Sequence, residues 1–189
     1  MTIRMRAVMA VLLLVPALTQ AELFGGSDEA DQRLEPNGRI TLPQGLKLRA
    51  YPMPIPGASN YRIDTGSMRI AITGIPLDMN GQPAPPRGDD QMKDAAVRGA
   101  ARYRPGADNP DALPTQVKGA GWTATYVTYS AKSGTRGFVP FMGAAYQCVS
   151  SGQIATARTI FVVTVGSSGC SSAEHLDFLK ALETISLDS

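Results

Sequence analysis

Few side chains in this sequence are of types that do chemistry, and Asp64-Thr65-Gly66-Ser67 is the sharpest string among them. An Asp-Thr-Gly run after an apolar strand supplies half of the carboxylate dyad of aspartic-type hydrolysis. There, two carboxyls share a proton and activate water. Tyr61-Arg62-Ile63 precedes the string, and Ile70-Ala71-Ile72-Thr73-Gly74 follows it where a later apolar-Gly element would sit. No second Asp-Thr-Gly or Asp-Ser-Gly exists, so a dyad would need two copies of the chain. Arg62 breaks the apolar approach, and Met68 resumes a strand almost at once. Asp and Gly also suit a tight turn for backbone reasons alone. The turn is therefore the expected role, with Asp64 the one catalytic candidate.

His175 is the only histidine, so any Ser-His-Asp or Cys-His unit must use it. Its place in the first turn of a closing helix, beside Glu174 and near Phe178 and Leu179, reads as a helix-edge or partly buried residue. One histidine and two well-separated cysteines do not make a zinc site, and neither a metal nor a cofactor is expected. Gly134 to Gly137 lacks the strand-turn-helix setting of a phosphate cradle. Binding is the remaining chemistry. Arg87, Arg98 and Arg102, with Lys93 and Arg104, make one helix locally basic, while Asp89, Asp90 and Asp94 offset part of that charge. Tyr51 opens a proline-marked edge, and Trp122 heads a strand with Tyr126 and Tyr129. Tyr51, Arg87, Arg98, Arg102 and Trp122 are the candidate binding residues.

These residues must be positioned by an α+β fold, an antiparallel sheet with two main helices packed on it. Arg39–Leu42 predicts a short strand, and Leu46–Ala50 another extended piece. Pro52, Pro54 and Pro56 remove three ladder donors, which marks an edge or polyproline stretch. Tyr61–Asp64 and Met68–Ile75 predict strands joined at Thr65-Gly66-Ser67, the second with period-2 alternation. Leu77–Gly88 and Ala107–Pro114 read as loops. Between them a helix capped by Asp89 or Asp90 runs to about Arg104, with Met92, Ala95, Ala96, Gly99, Ala100 and Tyr103 on a close-packing face. Gly121–Ser130, Phe138–Val149 and Ile154–Val165 predict three more strands, with Ile160–Val163 central and covered on both faces. Ser171-Ser172-Ala173-Glu174 reads as a capping box, with Ser171 as N-cap, opening a helix to about Ile185.

The cysteines leave an open alternative. Ser150-Ser151-Gly152-Gln153 predicts the turn between the last two strands, which puts Cys148 at the turn. Cys170 then lies beyond the far end of a returning strand roughly 30 Å long. A bridge needs Cα atoms within about 7 Å. Either that hairpin is broken or a Cys148–Cys170 disulfide is absent.

The compartment favours pairing, because the chain opens like an exported one. Arg4 and Arg6 precede an apolar run from Ala7 to Pro16, and Leu18-Thr19-Gln20-Ala21 offers small residues for cleavage after Ala21. The run is too short to span a bilayer, so residues 1–21 are expected to be a signal peptide and the mature chain to carry no membrane span. Residues 22–38 read as a flexible lead-in and 39–189 as a single domain. Without Arg4 and Arg6 the 18 Lys+Arg become 16, against 16 Asp+Glu. Global attraction to nucleic acid therefore has no basis. The expected location is periplasmic or secreted, where two cysteines usually pair.

The layout, the opening Arg39-Ile40-Thr41-Leu42-Pro43-Gln44-Gly45 and the closing Phe178-Leu179-Lys180-Ala181-Leu182 resemble the Mog1/PsbP-like group of small α+β domains, over about Arg39 to Ile185. The resemblance implies an accessory or binding role. The expectation is a non-catalytic domain that binds another protein or envelope component as an accessory, inhibitor or immunity-type factor. A hydrolase using Asp64 or another carboxylate pair is the first alternative, and a small-ligand binder the second. Tyr51–Pro56 and the two loops are the surfaces expected to carry binding.

Overall fold

The computed structural model describes residues 30–35, 38–77, 87–133 and 146–187. The leader, most of the Leu77–Gly88 loop, Gly134–Gly137 and most of the Phe138–Val149 segment lie outside these residues. Ten strands and two α-helices are described: β1 (Ala30–Leu34), β2 (Gly38–Leu42), β3 (Arg49–Tyr51), β4 (Ser59–Asp64), β5 (Met68–Pro76), α1 (Asp89–Ala100), β6 (Thr115–Gly119), β7 (Trp122–Ser130), β8 (Cys148–Thr156), β9 (Thr159–Ser167), α2 (Ala173–Ala181) and β10 (Ser186–Leu187). The large sheet runs β3-β4-β5-β9-β8-β7-β6, antiparallel at every pairing. A small sheet, β1-β2-β10, packs against it. This is the α+β class expected, with more sheet than the sequence suggested. Among the described residues no helix is long and apolar enough to cross a membrane.

The large sheet has two differently covered faces. On one, Tyr61, Ile63, Met68, Ile70, Ile72, Phe161, Val163 and Val165 meet Leu34, Ile40 and Leu42 of the small sheet and Phe178, Leu182 and Ile185 of the closing helical segment. Gly74 lets the small sheet approach. A Cβ there would lie 2.5 Å from Ser59 Oγ and 2.8 Å from the Glu35 carbonyl, with Phe161 at 3.1 Å. Ser59 Oγ instead donates to that carbonyl at 2.6 Å, and Tyr61 Oη accepts from Glu35 N at 2.7 Å. On the other face α1 packs on β7 and β8 through Met92, Ala96 and Ala100, followed by Tyr103 in a 3₁₀ extension over Ala101–Gly106. Small side chains on the helix allow close seating.

Several boundaries differ from expectation. Ala30–Leu34, read as lead-in, pairs with β2, its Leu34 fully buried. The Ala120-Gly121 turn, with Gly121 at φ 80, separates the unforeseen β6 from β7, which therefore begins at Trp122. Gly88, not Asp89 or Asp90, is the N-cap of α1, and Gly99 is exposed. Ser172, not Ser171, caps α2, accepting from His175 N at 3.4 Å. Glu174 does not reach back. It accepts a hydrogen bond from Ser67 Oγ, fastening the β4–β5 turn to the start of α2. Strand β9 is central, but Val162 is 41% exposed, so it is not covered throughout on both faces.

The largest difference is the last hairpin. Its turn is Ala157-Arg158, where Thr156 Oγ1 accepts from Arg158 N at 3.2 Å and Thr159 N at 2.8 Å. Ser150-Ser151-Gly152-Gln153 lies mid-strand. Each polar member finds a partner there: Ser150 with Thr128 and His175, Ser151 with Thr164, and Gln153 with the Met92 carbonyl. A Cβ on Gly152 would sit 2.1 Å from the Thr125 carbonyl. Local turn propensity yields to these tertiary contacts. With the turn moved, Cys148 pairs in register with Ser167, and Cys170 follows three residues later. Cys148 and Cys170 form a disulfide, with Cα atoms 5.0 Å apart.

Candidate functional site

Asp64 sits where β4 turns into β5. Its Oδ1 accepts from Gly66 N at 3.1 Å and its Oδ2 from Arg69 Nε at 2.7 Å. Gly66 has φ 87, a conformation glycine adopts without a Cβ clash. The Gly66 amide, assisted by Arg69, holds the Asp64 carboxyl below the usual range against a smaller opposing effect of burial. The carboxylate is thus ionised and held in an Asx-type turn, and both its hydrogen-bonded partners are donors.

His175 is fully buried, not at the helix edge. Nδ1 lies 2.8 Å from Ser167 Oγ and Nε2 2.9 Å from Ser150 Oγ, with Cys148 Sγ at 3.9 Å. Ser150 Oγ continues to Thr128 Oγ1 at 2.6 Å, and Ser167 Oγ donates to the Gly169 carbonyl at 3.0 Å. Burial pushes the His175 pKa down to about 4, so the ring is neutral at pH 7. A neutral imidazole bonded by hydroxyls at both nitrogens satisfies a polar core. It ties β8, β9 and α2 together next to the disulfide.

An open cleft of about 540 Å³ occupies the end of the molecule where α1 begins. Arg87, the β6–β7 turn and the Thr156-Ala157 corner border it. Trp122, only 5% exposed, lies against Gly119, whose missing Cβ leaves room for the indole. Lys118 Nζ binds Asp89 Oδ2 at 2.7 Å, strapping β6 to α1 and holding the Asp89 carboxyl below its usual range. The described lining contains an indole, a thioether and two cations but no His, Cys or carboxylate. Such a lining can bind and orient a ligand.

The five candidate binding residues therefore separate into three places. Arg87 and Trp122 meet in the cleft. Arg98 and Arg102 lie further along the helical segment, Arg98 4.0 Å from Asp94 and Arg102 stacked 4.8 Å from the Tyr103 ring centre. Tyr51 is on edge strand β3, with the Arg62 guanidinium 4.8 Å from its ring centre. The Ala107–Pro114 loop is pinned to β7: Asn109 Nδ2 donates to the Thr128 carbonyl at 3.0 Å and Oδ1 accepts from Ser130 N at 2.9 Å. Sequence reading missed Arg49, Arg62 and Lys118. Alternation of Arg49 with Tyr51 was the available signal for one of them; the others needed the strand pairing. Compared with protein-family models, curated proteins and solved structures, the chain matches none at a significant level.

Proposed function

We propose that this is an exported domain that binds another macromolecule of the cell envelope and performs no catalysis itself. One observation carries the reading: the two best-suited catalytic side chains, Asp64 and His175, are both engaged in holding the fold. The Cys148–Cys170 disulfide supports an oxidising location, and the basic and aromatic residues left at the surface support binding. The Mog1/PsbP-like likeness belongs to this proposal, and an antiparallel sheet with helical cover is compatible with it. Fractionation should find the chain in the periplasm beginning at Glu22, and cross-linking there should yield a stoichiometric partner. A full-length cytosolic chain, or a purified monomer that turns over a peptide or glycan, would reverse the reading.

The cleft favours a second reading, a small-ligand binder, because its volume falls in the range of ligand pockets. A ligand screen read by melting temperature separates the two. A rise that is lost in Arg87→Ala and Lys118→Ala identifies the cleft as a small-molecule site.

A further inference from the structure

The side of the large sheet opposite the small sheet carries an unusual arrangement at its β3 end. Paired positions of neighbouring strands share a face. Arg49 pairs with Arg62, and Arg62 with Ala71, so two arginines stand directly opposite each other on adjacent strands. Like charges so placed repel and weaken a sheet. Neither guanidinium has an ion-pair partner among the described residues. The neighbouring carboxylate, Asp64, is bound by Arg69 and Gly66 and acts on Arg49 only as a weaker charge at longer range. One row further along the same face, Tyr51 pairs with Asn60, Asn60 with Thr73 and Thr73 with Val162. Tyr51 and Val162, at the two ends of that row, are each 41% exposed, and Arg62 is stacked on Tyr51. Helix α1 packs on β7 and β8, away from β3 and β4.

We propose that this face docks an extended acidic segment of a partner protein, its carboxylates held by Arg49 and Arg62 and its apolar side chains resting on Tyr51 and Val162. The proposal rests on the binding role above and names the partner's chemistry. A guanidinium grips a carboxylate through two parallel N–H donors, and stacking on Tyr51 fixes one of the two forks in advance. An acid between Arg49 and Arg62 converts their repulsion into attraction. A peptide fits better than a lipid surface because the cations lie within a sheet face beside isolated apolar side chains, which the separate side chains of an extended segment can meet one by one.

The test uses the mature chain and a labelled peptide of alternating glutamate and valine, with phosphatidylglycerol vesicles as a second arm. The peptide should bind at low salt and weaken as salt rises. The Arg49→Gln/Arg62→Gln pair should lower affinity at least about tenfold, whereas Arg98→Gln/Arg102→Gln, the same charge change elsewhere, should leave it unchanged. Arg62→Lys should fall between, because charge remains and the fork is lost. Melting temperatures should be kept or raised in the Arg49→Gln/Arg62→Gln protein, since a repulsion is removed. No peptide binding, equal loss in both double variants, or vesicle binding without peptide binding overturns the proposal. A cross-linked envelope partner retained by Arg49→Gln/Arg62→Gln refutes this face alone. A chain without any partner that turns over substrate refutes the binding role itself.

Discussion

The two faces of the large sheet differ in how completely they enclose polar side chains: the reverse face also buries and pairs Ser151, Thr164 and Gln153 near α1, but it is open at its β3 end. Beneath α2 and the small sheet, polar side chains are enclosed and paired with one another. Ser150 and Ser167 are buried and each bonds to one ring nitrogen of the buried His175, and the disulfide lies beside them. On the reverse face α1 covers β7 and β8 with small side chains, while at the β3 end Arg49, Arg62, Tyr51 and Val162 face outward. A buried polar group must be satisfied internally or it destabilises the fold, so the enclosed face has little left to offer a ligand. Unmatched charge is tolerable only where water reaches it, and there it can exchange water for a partner.

Adjacent residues sharpen the comparison most. Phe161 and Val162 point to opposite faces of β9. Phe161 is fully buried against Gly38 and Gly74, so Phe161→Ala should cost about 3–5 kcal/mol in urea unfolding. Val162→Ala should cost well under about 1 kcal/mol. Similar losses at both would mean that the reverse face is as closed as the first.

The next effect is pH dependence centred on the enclosed face. The folded pKa of His175 is about 4, against 6.5 for the free side chain. Between those values the unfolded chain binds a proton that the folded chain refuses, so stability rises with pH. It should be complete above about pH 6.5, fall as pH drops toward 4, and be lower by about 3 kcal/mol below that. Denaturation across this window checks it, and His175→Gln should flatten the profile. An unchanged slope in His175→Gln would show that the imidazole is not sealed as described.

The smallest effect is at the turn. Asp64→Ala removes one amide hydrogen bond and a half-exposed pair with Arg69, and should cost about 0.5–1 kcal/mol by chemical denaturation. The variant should still bind whatever partner the wild type binds. A folded Asp64→Ala protein that has lost a measurable hydrolytic activity would restore the catalytic reading of Asp-Thr-Gly-Ser.

The β4–β5 hairpin is legible in the amino-acid sequence because its signals are local. Met68, Ile70 and Ile72 alternate, and Asp64 and Gly66 provide turn geometry within a few residues. The inner face of α1 is legible for the same reason, since Met92, Ala96 and Ala100 repeat at helical spacing. The last hairpin is not. Ser150-Ser151-Gly152 has turn composition, and its strand state depends on hydroxyl and imidazole partners contributed by Thr128, Thr164 and His175. The disulfide is illegible in consequence, because a shifted turn relocates Cys148 from the turn to the strand end beside Cys170. Of the candidate site, Arg87 and Trp122 stand out by residue type, but their meeting in one cleft depends on where α1 lands on β7. Arg49 and Arg62 become a pair only through the β3–β4 register.

The amino-acid order alone determined the period-2 and helical faces, the turn at Asp64–Ser67 and the near-balance of charge, because each depends on neighbours a few bonds away or on composition. Tertiary structure decided which hydroxyls could be buried, which cysteines could meet and which arginines would stand side by side. Those outcomes depend on strand register, and shifting a register by one residue moves every side chain of the strand to the other face.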